Sequence, residues 1–150
     1  MKVLLVASML FLLWAISCNK DKEASGLTIV AGSVCGWCGG SDSVIISENR
    51  LNYRNMSPCD HHAYSQVSHL EKSEWDKLTG MIDLDEFKSI SLNSCNICFD
   101  GCDKWITIAN GSYSHTIRFG NQDSVAVQSI KPLVDKLDSL RETFRTGSEK

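Results

Sequence analysis

The stretch KWITIANGSYSHTIRFG, residues 104–120, decides the fold. On either side of Asn110 and Gly111 the sequence alternates apolar and polar residues, the period of two that is typical of half-buried strands. Asn and Gly tolerate the positive φ angles of a tight type I′ turn. After the turn, one face of the second strand carries Tyr113, His115, Ile117 and Phe119. The stretch therefore predicts an antiparallel hairpin with one buried face.

Further strands are predicted before this hairpin. Residues 27–31 form a short apolar, β-branched run, and residues 43–47 and 51–54 flank a polar turn as a second hairpin. The chain from residue 55 onward is polar and indicates a loop that leads into a strand at 65–70. Antiparallel hairpins of this kind favour a sheet that packs one face on a core.

A short helix is predicted between the two groups of strands. Ser73 and Asp76 resemble a capping box, in which a hydroxyl and a carboxylate satisfy the first backbone N–H groups of a helix. Trp75, Leu78 and Ile82 then follow at helical spacing. The helix predicted here is short and contains Gly80.

The C-terminal segment predicts an amphipathic helix. Ser129 is a candidate N-cap, and Pro132 would then occupy the first turn, where a missing N–H costs little. One apolar stripe, which we expect to pack on Ile117 and Phe119 or their neighbours in the sheet, contains Ile130, Leu133, Val134, Leu137, Leu140 and Phe144. The predicted fold class is therefore α+β: an antiparallel sheet with hairpins, packed against a C-terminal helix.

The first residues of the chain indicate export. A positive Lys2 precedes an apolar run at residues 3–16, which is shorter than the about 20 residues that span a bilayer and is typical of a secretory signal. Small residues then stand before Cys18. This pattern resembles the lipobox of bacterial lipoproteins, in which the signal is cleaved before a cysteine that receives the lipid. The resemblance implies lipidation of Cys18 and attachment to a membrane.

The resemblance also implies a domain organisation and a compartment. Together with the predicted strands and helices, it divides the chain into a signal peptide at 1–17, a polar tether at 18–26, an α+β domain at 27–146 and a polar tail at 147–150. In Gram-negative lipoproteins an aspartate after the lipidated cysteine favours the inner membrane, and Asn19 occupies that position here. The outer membrane is therefore expected. The whole chain resembles small envelope lipoproteins of Gram-negative bacteria.

Six cysteines remain once Cys18 is assigned to the lipid. An even number in an exported domain predicts three disulfides, in any of 15 pairings. Local closure of each Cys-x-x-Cys, a link from Cys59 to Cys102, and links between the two Cys-x-x-Cys regions all stay open. The six residues are Cys35, Cys38, Cys59, Cys95, Cys98 and Cys102.

The segment VCGWCGG, residues 34–40, allows three interpretations. As a redox site it resembles the dithiol motif of thioredoxin-fold enzymes, but no helix follows to lower a thiol pKa. As a zinc site, Cys35 and Cys38 would join Cys95 and Cys98 as four thiolate ligands. As a structural element it would be held by disulfides, with the Trp37 ring packed over the bond or the sheet edge. The structural interpretation is favoured, because an oxidising compartment disfavours free thiolates.

The remaining candidates point to no catalytic site. His61 and His62 lie in a polar loop and are expected to be solvated, whereas His115 is expected to be a hydrogen-bonded histidine of the core or its rim. The net charge of −3 provides no basic surface for nucleic acid. We therefore expect a non-enzymatic envelope domain that binds a protein partner or has a structural role, without a cofactor. A thiol-redox or zinc-binding protein is the alternative.

Overall fold

The computed structural model describes residues 26–59 and 61–147. Within them the chain forms one six-stranded antiparallel sheet and a set of helices, which is the predicted α+β class. The predicted signal peptide, Cys18 and nearly all of the tether lie outside the described residues. The strands are β1 (Leu27–Cys35), β2 (Ser41–Ser47), β3 (Arg50–Ser57), β4 (His62–His69), β5 (Cys102–Asn110) and β6 (Tyr113–Phe119).

The strands lie in the order β4-β3-β2-β1-β5-β6, and each is antiparallel to its neighbours. The first strand is central because it pairs with β2 on one side and with β5 on the other. It carries the fully buried Ile29 and nearly buried Ala31, in keeping with its place at the centre. The sheet therefore brings the two predicted hairpins together around a strand that precedes both.

Strands β3 and β4 both extend further into residues 55–64 than the sequence predicted. Residues 55–57 continue β3, and β4 begins at His62 rather than at residue 65. This region was expected to be a loop because it lacks apolar alternation. An edge strand that is exposed on both sides needs no apolar residues, since its backbone pairing with β3 holds it in place.

The hairpin at Asn110 and Gly111 is confirmed, but its turn differs by one residue. Asn110 pairs with Tyr113, so the two central residues are Gly111 and Ser112. Gly111 has a φ of 60°, and Ser112 does not adopt positive φ. Positive φ at the first central residue alone is the pattern of a type II′ turn, not of the predicted type I′. Both turns match the twist of a hairpin, which explains why the pairing itself was predictable.

The helices are α1 (Lys72–Thr79), α2 (Leu84–Ser89) and α3 (Lys131–Gly147), with short 3₁₀ segments at Asn96–Phe99, Asn121–Asp123 and Gln128–Ile130. The predicted capping box at Ser73 is wrong, because Glu71 is the N-cap of α1 and makes no side-chain cap. Ser129 lies inside the 3₁₀ segment that leads into α3, so it does not cap that helix. The first helix ends before Gly80, which is its C-cap.

The helices cover one face of the sheet. Because side chains alternate along a strand, Ile29, Val44, Tyr53, Ile106 and Ile117 share a face, and all are buried. They form one cluster with Trp75 and Leu78 of α1, Phe87 of α2, and Leu133 and Leu137 of α3. We call this the covered face. The opposite, open face carries side chains that include Val30, Ile45, Arg54, Val67, Trp105 and Thr116.

Ion pairs attach α3 to the sheet beside the apolar contacts. The nearly buried Arg141 lies with Nη2 2.9 Å from Oδ1 of Asp42 in β2 and with Nη1 2.9 Å from Oδ1 of Asp138. Lys104 of β5 also reaches Asp138, with Nζ 2.6 Å from Oδ2. Leu133 and Leu137 are 1% exposed and Leu140 is partly buried against the same core. The predicted apolar stripe is therefore confirmed.

Candidate functional site

All three disulfides lie at one end of the sheet. They join Cys35 to Cys102, Cys38 to Cys59, and Cys95 to Cys98. At this end β1 finishes, β3 turns into β4, and β5 begins. We call residues 35–41, 57–59, 61–62 and 95–102 the disulfide-bonded end.

The pairing selects among the alternatives that the sequence left open. Only Cys95-x-x-Cys98 closes locally, and Cys59 and Cys102 pair with other cysteines rather than with each other. The reason is the register of the central strands, which places Cys35 directly opposite Cys102. Strand register depends on contacts that are distant in sequence, so the spacing of the cysteines could not reveal it.

Two loops of the disulfide-bonded end touch each other. The backbone N–H of Gly36 donates to the carbonyl of Gly101 across 2.9 Å. A Cβ atom added at Gly36 would lie 2.9 Å from Cα of Asp100, which is closer than real Cβ atoms approach. The absence of a side chain at residue 36 is therefore what lets the loop of Trp37 lie against the loop of Phe99.

A buried carboxylate holds the second of these loops. Asp103 is fully buried and accepts hydrogen bonds from the backbone N–H and the side-chain amide of Asn96, at 2.9 Å and 2.6 Å to Oδ1. Arg118 of β6 lies with Nη2 2.9 Å from Oδ2. Burial by itself raises the pKa of the Asp103 carboxyl, but the bonds from Asn96, Ile97 and Arg118 outweigh it and hold the pKa below its ordinary value.

Unusual backbone angles concentrate at the same end. Of the five described residues with positive φ, four belong to it: Trp37 at 54°, Gly40 at 75°, His61 at 53° and Asp100 at 59°. Positive φ is a genuine outlier for a residue as bulky as tryptophan. Such angles persist only where the surrounding structure enforces them, and they cluster at functional sites.

Two large aromatic side chains project from the disulfide-bonded end into solvent. Trp37 is 85% exposed and Phe99 is 88% exposed. The expectation that the Trp37 ring packs over a disulfide or the sheet edge is therefore wrong. The backbone at Trp37 is left-handed, and the loop that carries Phe99 lies alongside.

The histidines lie in three different settings. His61, between β3 and β4, and His62, the first residue of β4, are both exposed, as expected. His115 is half-buried on the covered face, with Nε2 2.9 Å from the carbonyl oxygen of Ile90 and its ring edge-on to Phe87. The predicted hydrogen-bonded histidine at the rim of the core is confirmed.

The thiolate set proposed for zinc is divided among three disulfides. Cys35 and Cys38 pair with Cys102 and Cys59, and the other two candidate ligands, Cys95 and Cys98, pair with each other. Within residues 26–59 and 61–147, no group of three or more His, Cys, Asp and Glu side chains is placed to hold a metal ion. A zinc site from these cysteines would therefore require the disulfides to be reduced.

The open face of the sheet carries two shallow depressions that share Ser41. One, of about 400 Å³, also contacts Ser43, Arg54 and Ser65. The other has a volume of about 530 Å³. Its lining residues are Ser41, Val34, Asn93, Ile97, Trp105, Thr116 and Arg118. Neither depression is lined by a histidine or a cysteine. Asp42 also lines the first depression, where its carboxylate binds Arg141.

Sequence reasoning missed Asp103 and Phe99. For Phe99 the available signal was a large apolar side chain directly before the polar loop residues Asp100 and Gly101. For Asp103 the signal was the hairpin register, which pairs Trp105 with Arg118 and leaves Asp103 diagonal to that arginine on the same face. Only the burial of the carboxylate shows that this diagonal contact matters.

Comparison with known proteins leaves the function to be argued from the structure. No protein-family model matches the chain, and no curated protein matches its sequence. Among the described residues, no helix is long and apolar enough to cross a membrane.

Proposed function

We propose that this protein is a lipid-anchored domain of the bacterial envelope that binds a protein partner through Trp37 and Phe99, without catalysis. The lipid on Cys18 would hold it on the outer membrane. The exposed indole of Trp37 carries the proposal.

Neither folding nor stability accounts for Trp37. Its left-handed backbone costs roughly 1–2 kcal/mol for an L-residue, and a ring that is 85% exposed recovers little through burial. Tryptophan is enriched among the residues that dominate binding energy at protein interfaces. A second exposed aromatic ring on the adjoining loop enlarges the apolar contact area that a partner would find.

The disulfides keep this surface rigid. Each of the two aromatic residues is next to or between half-cystines, and the loops are bonded to each other through Gly36 and Gly101. A rigid contact surface loses less conformational entropy on binding, which raises affinity for a given area. The disulfides would therefore serve binding as well as folding.

The direction of β1 separates the anchor from the contact surface. The strand begins at Leu27, next to the tether, and ends at Cys35 in the disulfide-bonded end. The nine residues span eight steps of about 3.3 Å, which place the two ends roughly 26 Å apart. The tether from a lipid at Cys18 would thus join the domain at the end opposite Trp37 and Phe99, which leaves the two rings open to a partner.

Fractionation of cells tests the anchor. Cys18→Ser should leave the membrane fraction or accumulate unprocessed, because no thiol remains to carry the acyl chains. Ser17→Ala is the matched control, since it keeps a small residue before the cysteine and should fractionate like the wild type. A Cys18→Ser protein that matures and sediments with membranes like the wild type would contradict the lipoprotein assignment.

Site-specific photocrosslinking in the exported full-length chain tests the contact surface. A benzophenone side chain at residue 99 should give an adduct of discrete mass, and Trp37→Ala should abolish that adduct. The control position is Val125, which is 86% exposed and is not one of the residues of the disulfide-bonded end. The same adduct from residue 125, or an adduct at residue 99 that survives Trp37→Ala, would count against binding at this end.

One observation favours thiol-redox chemistry as a second candidate. Cys95 and Cys98 are both exposed and form the Cys-x-x-Cys disulfide that closes locally. In its reduced form the pair would attack a substrate disulfide, releasing two substrate thiols while the Cys95–Cys98 bond forms again, and an external dithiol would then have to reduce it. Insulin reduction in the presence of dithiothreitol distinguishes the candidates: turnover that Cys95→Ser with Cys98→Ser abolishes supports redox function, and turnover no faster than dithiothreitol alone supports binding.

A further inference from the structure

The outer edge of β4 is an unprotected strand edge. All eight residues of β4 pair with β3 on one side, and among the described residues no segment pairs with the other side. The strand contains no proline, lysine, arginine or acid, and its pairing with β3 has no bulge. Prolines, charged side chains and bulges are the features by which proteins prevent an edge strand from pairing with another chain.

The opposite edge of the sheet is treated differently. Beside β6, the N–H of Arg118 donates to the carbonyl of Leu92, and the N–H of Ser94 donates to the carbonyl of Arg118, both across 2.9 Å. The segment at residues 92–94 therefore covers part of that edge. One edge of this sheet is partly covered by residues 92–94, whereas no other described segment pairs with the outer edge of β4.

We propose that β4 pairs antiparallel with β4 of a second copy of this chain, which joins the two sheets into one. This inference is independent of the proposed function. A two-fold axis perpendicular to the sheet keeps each side chain on its own face, so facing residue numbers must sum to an even number. Centring the axis on Ser65 places seven residues of each strand opposite one another.

Side chains in this register are complementary. On the open face, Val67, which is 55% exposed, lies opposite Ala63 of the copy, so that its apolar surface is covered. On the covered face, Tyr64 lies opposite Gln66 of the copy, and the two side chains already form a hydrogen bond within one strand. No charged residue occurs between them, so no like charges meet. Every other copy of the chain carries a β4 edge of the same length, so a partner strand is present wherever the protein is present.

A cysteine at the symmetry axis tests the proposal in the exported full-length chain. Directly opposed residues of antiparallel strands have Cα atoms about 4.5–5.5 Å apart, which suits a disulfide. Ser65→Cys should therefore give a covalent homodimer on non-reducing gels. Ser68→Cys, the matched control on the same strand, should stay monomeric, because its symmetry mate would lie roughly 20 Å away at about 3.3 Å per residue.

A charge placed on the edge provides a second measurement. Val67→Lys, combined with Ser65→Cys, should reduce the dimer at least tenfold, whereas Ser114→Lys on the opposite edge strand should leave it unchanged. Equal dimer from Ser65→Cys and Ser68→Cys, or no dimer from either, would overturn the proposal. An adduct of Ser65→Cys with a different polypeptide would assign the edge to a foreign strand and would also overturn it.

Discussion

The centre of the sheet and its disulfide-bonded end are stabilised by different kinds of interaction. At the centre, residues such as Ile29, Ile108 and Ile117 are completely buried beneath the helices. At the disulfide-bonded end, none of the described residues of the three loops is fully buried, and half-cystines such as Cys38 are held covalently instead. The centre gains stability by removing apolar surface from water, which is a contribution the end cannot make.

This difference explains how the domain keeps large aromatic rings exposed. A loop that depended on its own apolar residues for stability would bury them. Disulfides and the bonds to Asp103 replace that contribution, so Trp37 and Phe99 can remain in solvent. Variants of the centre and of the disulfide-bonded end should therefore differ in how much stability they lose.

The largest expected effect is loss of the Cys35–Cys102 disulfide. The bond closes a sequence separation of 67 residues, so replacing both cysteines by serine should lower the free energy of unfolding by about 4 kcal/mol in the chain-entropy model. Replacing Cys95 and Cys98, separated by three residues, should cost about 2 kcal/mol. Denaturant melts of both variants check this order. Equal losses would mean that the disulfide-bonded end does not act through loop closure.

Truncation in the core should cost slightly less. Leu137 is 1% exposed on α3, so Leu137→Ala should lower the free energy of unfolding by about 3 kcal/mol through lost burial and a new cavity. Val125→Ala, at a residue that is 86% exposed, is the control and should change it by less than about 0.5 kcal/mol. A loss well below 1 kcal/mol for Leu137→Ala in denaturant melts would place α3 outside the core.

The buried carboxylate should respond next. Asp103→Asn removes a charge that Arg118 and the Asn96 N–H groups bind, and should cost about 2 kcal/mol. Asp100→Asn, in the same loop but exposed, should have little effect because asparagine also tolerates positive φ. Thermal or denaturant unfolding at neutral pH compares the two. Similar losses would show that Asp103 does not hold the loop.

The same carboxylate predicts a dependence on pH. The pKa of Asp103 is lowered by folding from an ordinary value of 3.8, so its contribution to stability is complete above that value. The contribution is lost as the pH falls through 3.8 towards the lower pKa of the folded state. The difference in unfolding free energy between wild type and Asp103→Asn should therefore shrink between about pH 5 and pH 2. A difference that stays constant over this range would contradict the assignment.

The smallest effect concerns Trp37 and has an unusual sign. Glycine adopts positive φ without strain, whereas alanine retains the Cβ that opposes it. Trp37→Gly should therefore be about 1 kcal/mol more stable than Trp37→Ala. Both should fold, since the ring they remove is 85% exposed. If Trp37→Ala lost more than about 2 kcal/mol against the wild type, the ring would have a structural role.

Local sequence patterns predicted much of the fold. Residues Lys104–Phe119, read as alternating runs around Asn110 and Gly111, predicted the β5–β6 hairpin, and the spacing of Leu133 and Leu137 predicted the buried stripe of α3. Both signals are periodic and lie within one element. The first three residues of β4 gave no such signal, because they face solvent on both sides and their position depends on pairing with β3.

The sequence by itself determined the α+β class, the disulfide bonding of the cysteines that follow Cys18 and the interpretation of His115 as a hydrogen-bonded rim residue. Tertiary structure alone decided which cysteines pair, that Trp37 and Phe99 lie on touching loops, and that Asp103 is buried against Arg118. The physical reason is the range of the interactions. Periodicity and turn chemistry act between near neighbours, whereas pairing across β1 and β5 joins residues that only the register of the sheet brings together.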